Sequence, residues 1–255
     1  MTPPTKPICK LLWQDYARVS KISAEEHLYT KPDIDATLDR INTVNYHETI
    51  VLSKCGTKIT AYRAGHVLGA CMFLVELTNG IRVLYTGDYS TDMDRHLPSA
   101  ELPPAPVHVL IVESTYGTQQ HEPRQERERR FLQAVHEVVR QGGKCLLPVF
   151  ALGRAQELIL LLEEYWRANP LLKNVPIVYA TPLANKSLKI METYVNMCSE
   201  QVIEQANNHV NTFRSMQHVT NVSEPSGVDW ETKVMNPNTA CVVLCAPGML
   251  QSGTS

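Results

Sequence analysis

The chain has 255 residues, 44% hydrophobic and 20% charged, which fits one large globular domain or two ordinary ones and excludes a disordered chain. Its formal net charge is −2, so any positive field for nucleic acid must be local or supplied by a metal or a partner. No apolar run approaches the roughly 20 residues of a membrane helix, and Met1–Lys6 lacks a secretory signal pattern, so neither a membrane nor a secretory role is expected.

The first predicted element is a helix over 9–19, with Cys9, Leu12, Tyr16 and Val19 at helical spacing. A second helix is expected over 33–41. Strands 49–54 and 58–63 then flank a turn at Gly56. Strands 71–78 and 81–86 flank Asn79-Gly80, a two-residue hairpin signal because both residue types tolerate positive φ. These last two strands are apolar on both faces, which predicts burial inside a sandwich. Residues 107–112 read as a further buried strand.

After this the rhythm changes. Arg124–Arg140 carries Phe131, Leu132, Val135, Val138 and Val139 on one helical face, and Gly142-Gly143 stops it. A strand over 144–150, a helix over 154–166, a strand over 175–180, a helix over 183–197 and a strand over 239–246 follow. The helix over 154–166 turns Ala155, Leu158, Ile159, Leu162 and Tyr165 to a core. Strands separated by helices imply parallel βαβ units. The expected organisation is a strand-rich domain over 1–117 and an α/β domain over 118–255.

The seven cysteines are scattered singly except Cys241 and Cys245, and the set reads as reduced and intracellular. Strand spacing puts that pair on one face, read as two small buried apolar residues rather than a metal pair, since no second cluster accompanies them. Three polar residues interrupt the apolar strands at their ends: His66 in Ala64-Gly65-His66-Val67-Leu68-Gly69, Asp88 in Tyr85-Thr86-Gly87-Asp88, and Glu113 in Val112-Glu113-Ser114-Thr115. Each alone is open to a plain reading: a turn histidine, a capping aspartate, a glutamate that satisfies backbone donors. Together, a histidine with carboxylates is the donor set of a zinc or hydrolytic metal site. His96, His108, His121 and His136 match no ligand spacing and read as structural or exposed.

These three motifs, in this order, resemble those of metallo-β-lactamase nucleases that carry a β-CASP domain. The likeness continues through Pro148-Val149-Phe150-Ala151-Leu152-Gly153-Arg154-Ala155-Gln156-Glu157-Leu158 and Ala246-Pro247-Gly248-Met249-Leu250-Gln251-Ser252-Gly253. It implies an α/β fold: a partial metallo-β-lactamase αββα sandwich followed by a partial β-CASP domain with a parallel sheet. Ile22-Ser23-Ala24-Glu25-Glu26, Leu28-Tyr29-Thr30, Asn169-Pro170-Leu171 and Thr193-Tyr194-Val195-Asn196 are most similar to the members that cut pre-mRNA before polyadenylation. An Integrator-type RNA endonuclease is the second likeness. A non-catalytic scaffold of the processing complex is a third reading, although that relative loses the Thr-Gly-Asp and Glu-Ser-Thr motifs kept here. A small-molecule metallo-hydrolase is disfavoured by the β-CASP-like Gly153–Glu157 region.

The resemblance implies two zinc ions that activate a hydroxide against an RNA phosphodiester. His66 would bind one ion and Asp88 would bridge both. Glu113 would orient a later histidine that protonates the leaving oxygen. Arg154, at a helix start, would touch the RNA backbone or a domain interface; pairing with a buried carboxylate is the equal alternative. Ser252 is a further substrate-contact candidate. The family's His-x-His-x-Asp-His cluster and its late histidines have no counterpart in the sequence, so the chain reads as an internal piece lacking both ends. By that reading the chain alone binds zinc weakly or not at all and is inactive. Implied partners are pre-mRNA and other subunits of the cleavage and polyadenylation complex, including the non-catalytic paralogue, with a nuclear location from family likeness alone.

Overall fold

The computed structural model describes residues 1–23, 29–104, 106–222 and 225–250. The chain forms two units, Met1–Thr115 with Asn196–Glu200, and Tyr116–Val195 with Gln201–Ser255.

The first unit opens with helices α1 (Thr5–Ser23) and α2 (Lys31–Asp39). Pro32 lies in the first turn of α2, and the Asp33 carboxylate accepts the Thr30 amide at 2.8 Å, which fixes the start of the helix. Strands β1 (Thr49–Val51), β2 (Lys58–Arg63), β3 (Cys71–Glu76), β4 (Arg82–Tyr85) and β5 (Val109–Ile111) form one sheet in sequence order. The first four pair antiparallel; β5 lies parallel to β4. Gly80, at φ +82°, turns the β3–β4 hairpin, and Leu77 N–H donates to Ile81 O at 2.9 Å to close it.

Two expectations for this sheet are corrected. Strand β3 buries Met72 and Leu74, but Cys71, Phe73 and Val75 are only half-buried, so one face is packed rather than two. Strand β5 is exposed throughout, with Leu110 at 58%. It is the sheet's edge, and no packed layer of the described residues shields it. The helix α1 forms as read, yet Leu12 and Tyr16 on its apolar stripe are exposed.

The second unit contains α3 (Arg124–Arg140), β6 (Lys144–Pro148), α4 (Arg154–Ala168), β7 (Ile177–Ala180), α5 (Ala184–Thr193), α6 (Glu200–Asn207), β8 (Val219–Val222) and β9 (Cys241–Cys245). Its sheet has the order β6-β9-β7-β8 and is wholly parallel, as the strand–helix alternation requires. On one face Ile177, Tyr179, Val242 and Leu244 pack against Ala155, Ile159, Leu162 and Trp166 of α4. On the other, Val178, Ala180, Cys241, Val243 and Cys245 form a second core with Val222 and Val234. Central parallel strands buried on both faces need near-continuous apolar runs, and Cys-Val-Val-Leu-Cys is one. Cys241 and Cys245 are fully buried and all seven cysteines are free, so this pair packs as small apolar residues.

The helix expected over 183–197 stops at Thr193 and resumes as a 3-10 turn at Val195–Met197. Sequence reading passed over α6 and β8. Glu163 is nearly fully buried inside α4 and is satisfied there: it accepts the Gln217 and His218 amides at 2.9 and 3.1 Å and pairs with Arg167 at 3.0 Å. It thereby ties the helix to the chain entering β8.

Leu162 is 0% exposed among these layers. Leu162→Ala should cost about 2–5 kcal/mol of stability, read as a lower midpoint for the second unit in urea denaturation followed by Trp166 fluorescence.

Candidate metal centre

Because β2, β4 and β5 all run in one direction, their C-terminal ends share one edge of the first sheet. His66, Asp88 and Glu113 each follow one of those ends. This topology converts three separate motifs into neighbours.

The loops are locked by backbone. Ser90 N–H donates to Ala64 O at 2.8 Å, and Ala100 N–H to Ser90 O at 2.7 Å, which lays the loop after β4 across Ala64-Gly65. Gly65 stands at φ +72°, and a Cβ there would lie 2.5 Å from Ser90 O and 2.6 Å from Ala100 N. Only glycine permits this approach. Gly69 is covered likewise by the chain start, where the Thr2 hydroxyl donates to Gly69 O at 2.5 Å.

Glu101 pins the loop's far end. Its carboxylate accepts the Arg63 amide at 2.7 Å and the Arg63 guanidinium at 3.0 and 3.2 Å, and it pairs with His47 at 2.8 Å. Burial pushes the Glu101 carboxyl up, but the Arg63 amide, His47 and the Arg63 guanidinium together outweigh it and hold the group below its ordinary range.

On this scaffold His66 Nε2 lies 3.7 Å from Asp88 Oδ2, with both side chains open to solvent at 40% and 69% exposure. Two donors on one tetrahedral zinc at about 2.1 Å sit roughly 3.4 Å apart, so the pair fits a shared ion. Glu113 accepts the Thr115 amide at 2.7 Å. That amide first, then the Thr115 hydroxyl, holds its pKa below the ordinary carboxylate range against weak desolvation, and the nearby His66 imidazole adds to the effect. Glu113 therefore stays a carboxylate beside His66.

In the second unit, Arg154 is the first residue of α4 and is exposed. Its loop is set from beneath: Gly153 N–H donates to Gln156 Oε1 at 2.9 Å, Gln156 Nε2 donates to Ala151 O at 3.2 Å, and the Tyr179 hydroxyl also donates to Ala151 O. Ser252 lies outside the described residues, as do Ala24, Glu25 and Glu26 of the likeness noted above. Of the histidines set aside, His96 is buried, His108 accepts the Arg82 amide at 3.1 Å, His121 stacks edge-on to Tyr116, and His136 bonds the Tyr165 hydroxyl at 2.8 Å.

Residues 1–113 match the metallo-β-lactamase superfamily domain and residues 155–255 match the Beta-Casp domain. The chain carries a metallo-β-lactamase superfamily domain and a Beta-Casp domain. Across its whole length it is similar to the cleavage and polyadenylation specificity factor subunit 3 of Dictyostelium discoideum, at 48% identity over 256 residues and 32% of that protein. It is 47% identical to cleavage and polyadenylation specificity factor 73 of Drosophila melanogaster, covering 36% of it, and 47% identical to the endoribonuclease ysh1 of Schizosaccharomyces pombe, covering 32%. The chain thus spans about a third of the length of the curated relatives it matches. Membership of a metallo-β-lactamase family implies a metal, and the imidazole–carboxylate pair of His66 and Asp88 is a donor set of the right chemistry for one.

Gly65→Ala should lose at least about 1–3 kcal/mol from the left-handed backbone alone. It should also displace the loop after β4, read as large amide shifts at Asp88 and Ser90 in NMR spectra. For Glu101, whose carboxyl is depressed in the folded state, the stabilisation is present above the ordinary carboxylate range and lost as pH falls through the folded value. Glu101→Gln should therefore flatten the acid limb of the stability–pH curve; an unchanged acid limb would contradict the clamp.

Proposed function

We propose that this chain is part of a zinc-dependent endoribonuclease that cleaves pre-mRNA before polyadenylation. The reading rests on the 3.7 Å approach of His66 to Asp88 at the strand edge, joined to similarity with relatives named as cleavage factors and endoribonucleases. In it, the His66 imidazole and the Asp88 carboxylate would hold zinc, with Asp88 the candidate bridge between two ions. Bound zinc would lower the pKa of a water and offset charge on the phosphodiester. Glu113, fixed by the Thr115 amide, would orient a later histidine that protonates the leaving oxygen. Arg154 offers an exposed cation for an RNA phosphate, and Ser252 a contact to the same strand.

The partners in this reading are pre-mRNA and other subunits of the cleavage and polyadenylation complex, including the non-catalytic paralogue, and the location is nuclear. No helix among the described residues is long and apolar enough to cross a membrane. A scaffold reading is favoured by one observation: His66 and Asp88 supply two donors, where a tetrahedral zinc takes about four.

Calorimetric titration of the 255-residue chain with zinc tests both readings. The expected result is weak binding that perturbs the His66 and Asp88 resonances, is lost in His66→Ala, and is accompanied by no RNA cleavage. Tight stoichiometric zinc with RNA cleavage by this chain would overturn the two-donor account, and zinc binding that leaves both residues unperturbed would remove the metal centre.

A further inference from the structure

Strand β5 leaves an apolar edge open in the first unit. Val107, Val109, Leu110, Ile111 and Val112 are between 36% and 58% exposed, and no strand stands beyond β5 among the described residues. Its inner side is satisfied by β4: Thr86 N–H donates to Ile111 O at 3.1 Å, and His108 N–H donates to Arg82 O at 2.9 Å. The outer side presents backbone donors and acceptors along an uncharged run. Nothing in the metal-centre reading uses it.

Such an edge is a template for a further strand, and folded proteins blunt it with charge, proline or covering chain. Other outer strands of the molecule show these devices. Strand β6 ends in Pro148, which has no N–H to offer, and β1 has Glu48 just before it and Lys54 just after. Residues 107–112 read Val-His-Val-Leu-Ile-Val, with no proline, carboxylate, lysine or arginine.

The same run fits its own copy. Turned antiparallel about a two-fold axis at Leu110, it sets Leu110 opposite Leu110 and Val109 opposite Ile111, and apolar and β-branched pairs of this kind stabilise a ladder. An edge bearing charge would oppose like charges there; this one has none to oppose. Identical edges exchange N–H and C=O groups reciprocally, as a two-fold contact requires. Covering these residues and Tyr85 of β4 on two copies removes on the order of 1,000 Å² from water, the size at which specific contacts begin. We infer that β5 is a self-association edge, through which two copies of the chain join in one continuous sheet. His66, Asp88 and Glu113 follow C-terminal strand ends, and antiparallel pairing sends those ends of the two copies in opposite directions. Each copy's donor set thus stays clear of its partner's. The inference goes beyond the metal reading, and its test measures neither zinc nor RNA.

The test is light scattering on the size-exclusion peak of the whole chain, loaded from about 1 to about 100 μM. The expected result is a dimer at the upper end that dissociates on dilution, as a contact of the smallest specific size should. Leu110→Lys, at an exposed position that leaves the circular dichroism spectrum unchanged, should weaken association at least about tenfold. Leu146→Lys, at a comparably exposed leucine on the outer strand β6, should leave the dimer intact. A monomer at about 100 μM overturns the inference and leaves the edge to another occupant, such as a strand of a different protein. A dimer that survives Leu110→Lys also overturns it, as does one that Leu146→Lys dissolves. Species larger than a dimer do the same, because a two-fold contact closes.

Discussion

The hydrogen bond from Ser90 N–H to Ala64 O is the constraint on which the metal edge depends. His66 and Asp88 are both exposed, and an exposed pair of this kind contributes too little to hold two loops together. Their 3.7 Å approach is instead a consequence of backbone laid on backbone two residues away from each. Gly65 makes the contact possible, and Glu101 keeps the far end of the loop from lifting by holding the amide and guanidinium of Arg63. The positions of the donors are set without spending their own lone pairs, which leaves those lone pairs available to an ion.

The second unit solves a different problem. Its central strands are buried on both faces, and helix α4 buries Ile159, Leu160, Leu161 and Leu162. A helix in that position has little room for charge, yet it contains Gln156, Glu157 and Glu163, all buried. Each is matched. Gln156 closes the Gly153 turn, Glu157 meets Arg124 of α3, and Glu163 accepts the amides entering β8. Removing one such partner would strand a buried polar group, which costs more than the bond contributes. The buried polar residues therefore tie α4 to specific neighbours, whereas apolar packing alone tolerates alternatives.

Much of the architecture was legible because periodicity and punctuation agree. The bounds read for α3 are those observed, since a clear apolar stripe ends at Gly142-Gly143. The hairpin at Asn79-Gly80 and the parallel character of the second sheet followed from turn chemistry and from strand–helix alternation. The burial of β5 was misread because Val-Leu-Ile-Val is a buried strand by composition, whereas exposure depends on what lies beside it in the sheet. Strand β8, Val-Thr-Asn-Val, is short and half polar, and helix α6 has a narrow apolar face, so neither announced itself. At the candidate site the glycines and strand ends were visible, but Glu101 was not. It lies in the loop after β4 but far in sequence from Arg63, and no local pattern encodes a carboxylate that serves a backbone amide 38 positions away.

Charge bears on how such an edge could meet RNA. His66, Asp88 and Glu113 follow strand ends at one edge as one imidazole and two carboxylates, on a chain whose formal net charge is already −2. Glu113 remains ionised because its acidity is strengthened by the Thr115 amide. Two fixed anions repel a phosphodiester, and the repulsion is stronger near a protein surface than in bulk water. A divalent cation between His66 and Asp88 would cancel the charge of the two carboxylates, since a bound ion is the largest charge in such a site. The metal would then remove a repulsion: on the metal-free edge, the same carboxylates that suit a cation would hold a phosphodiester away.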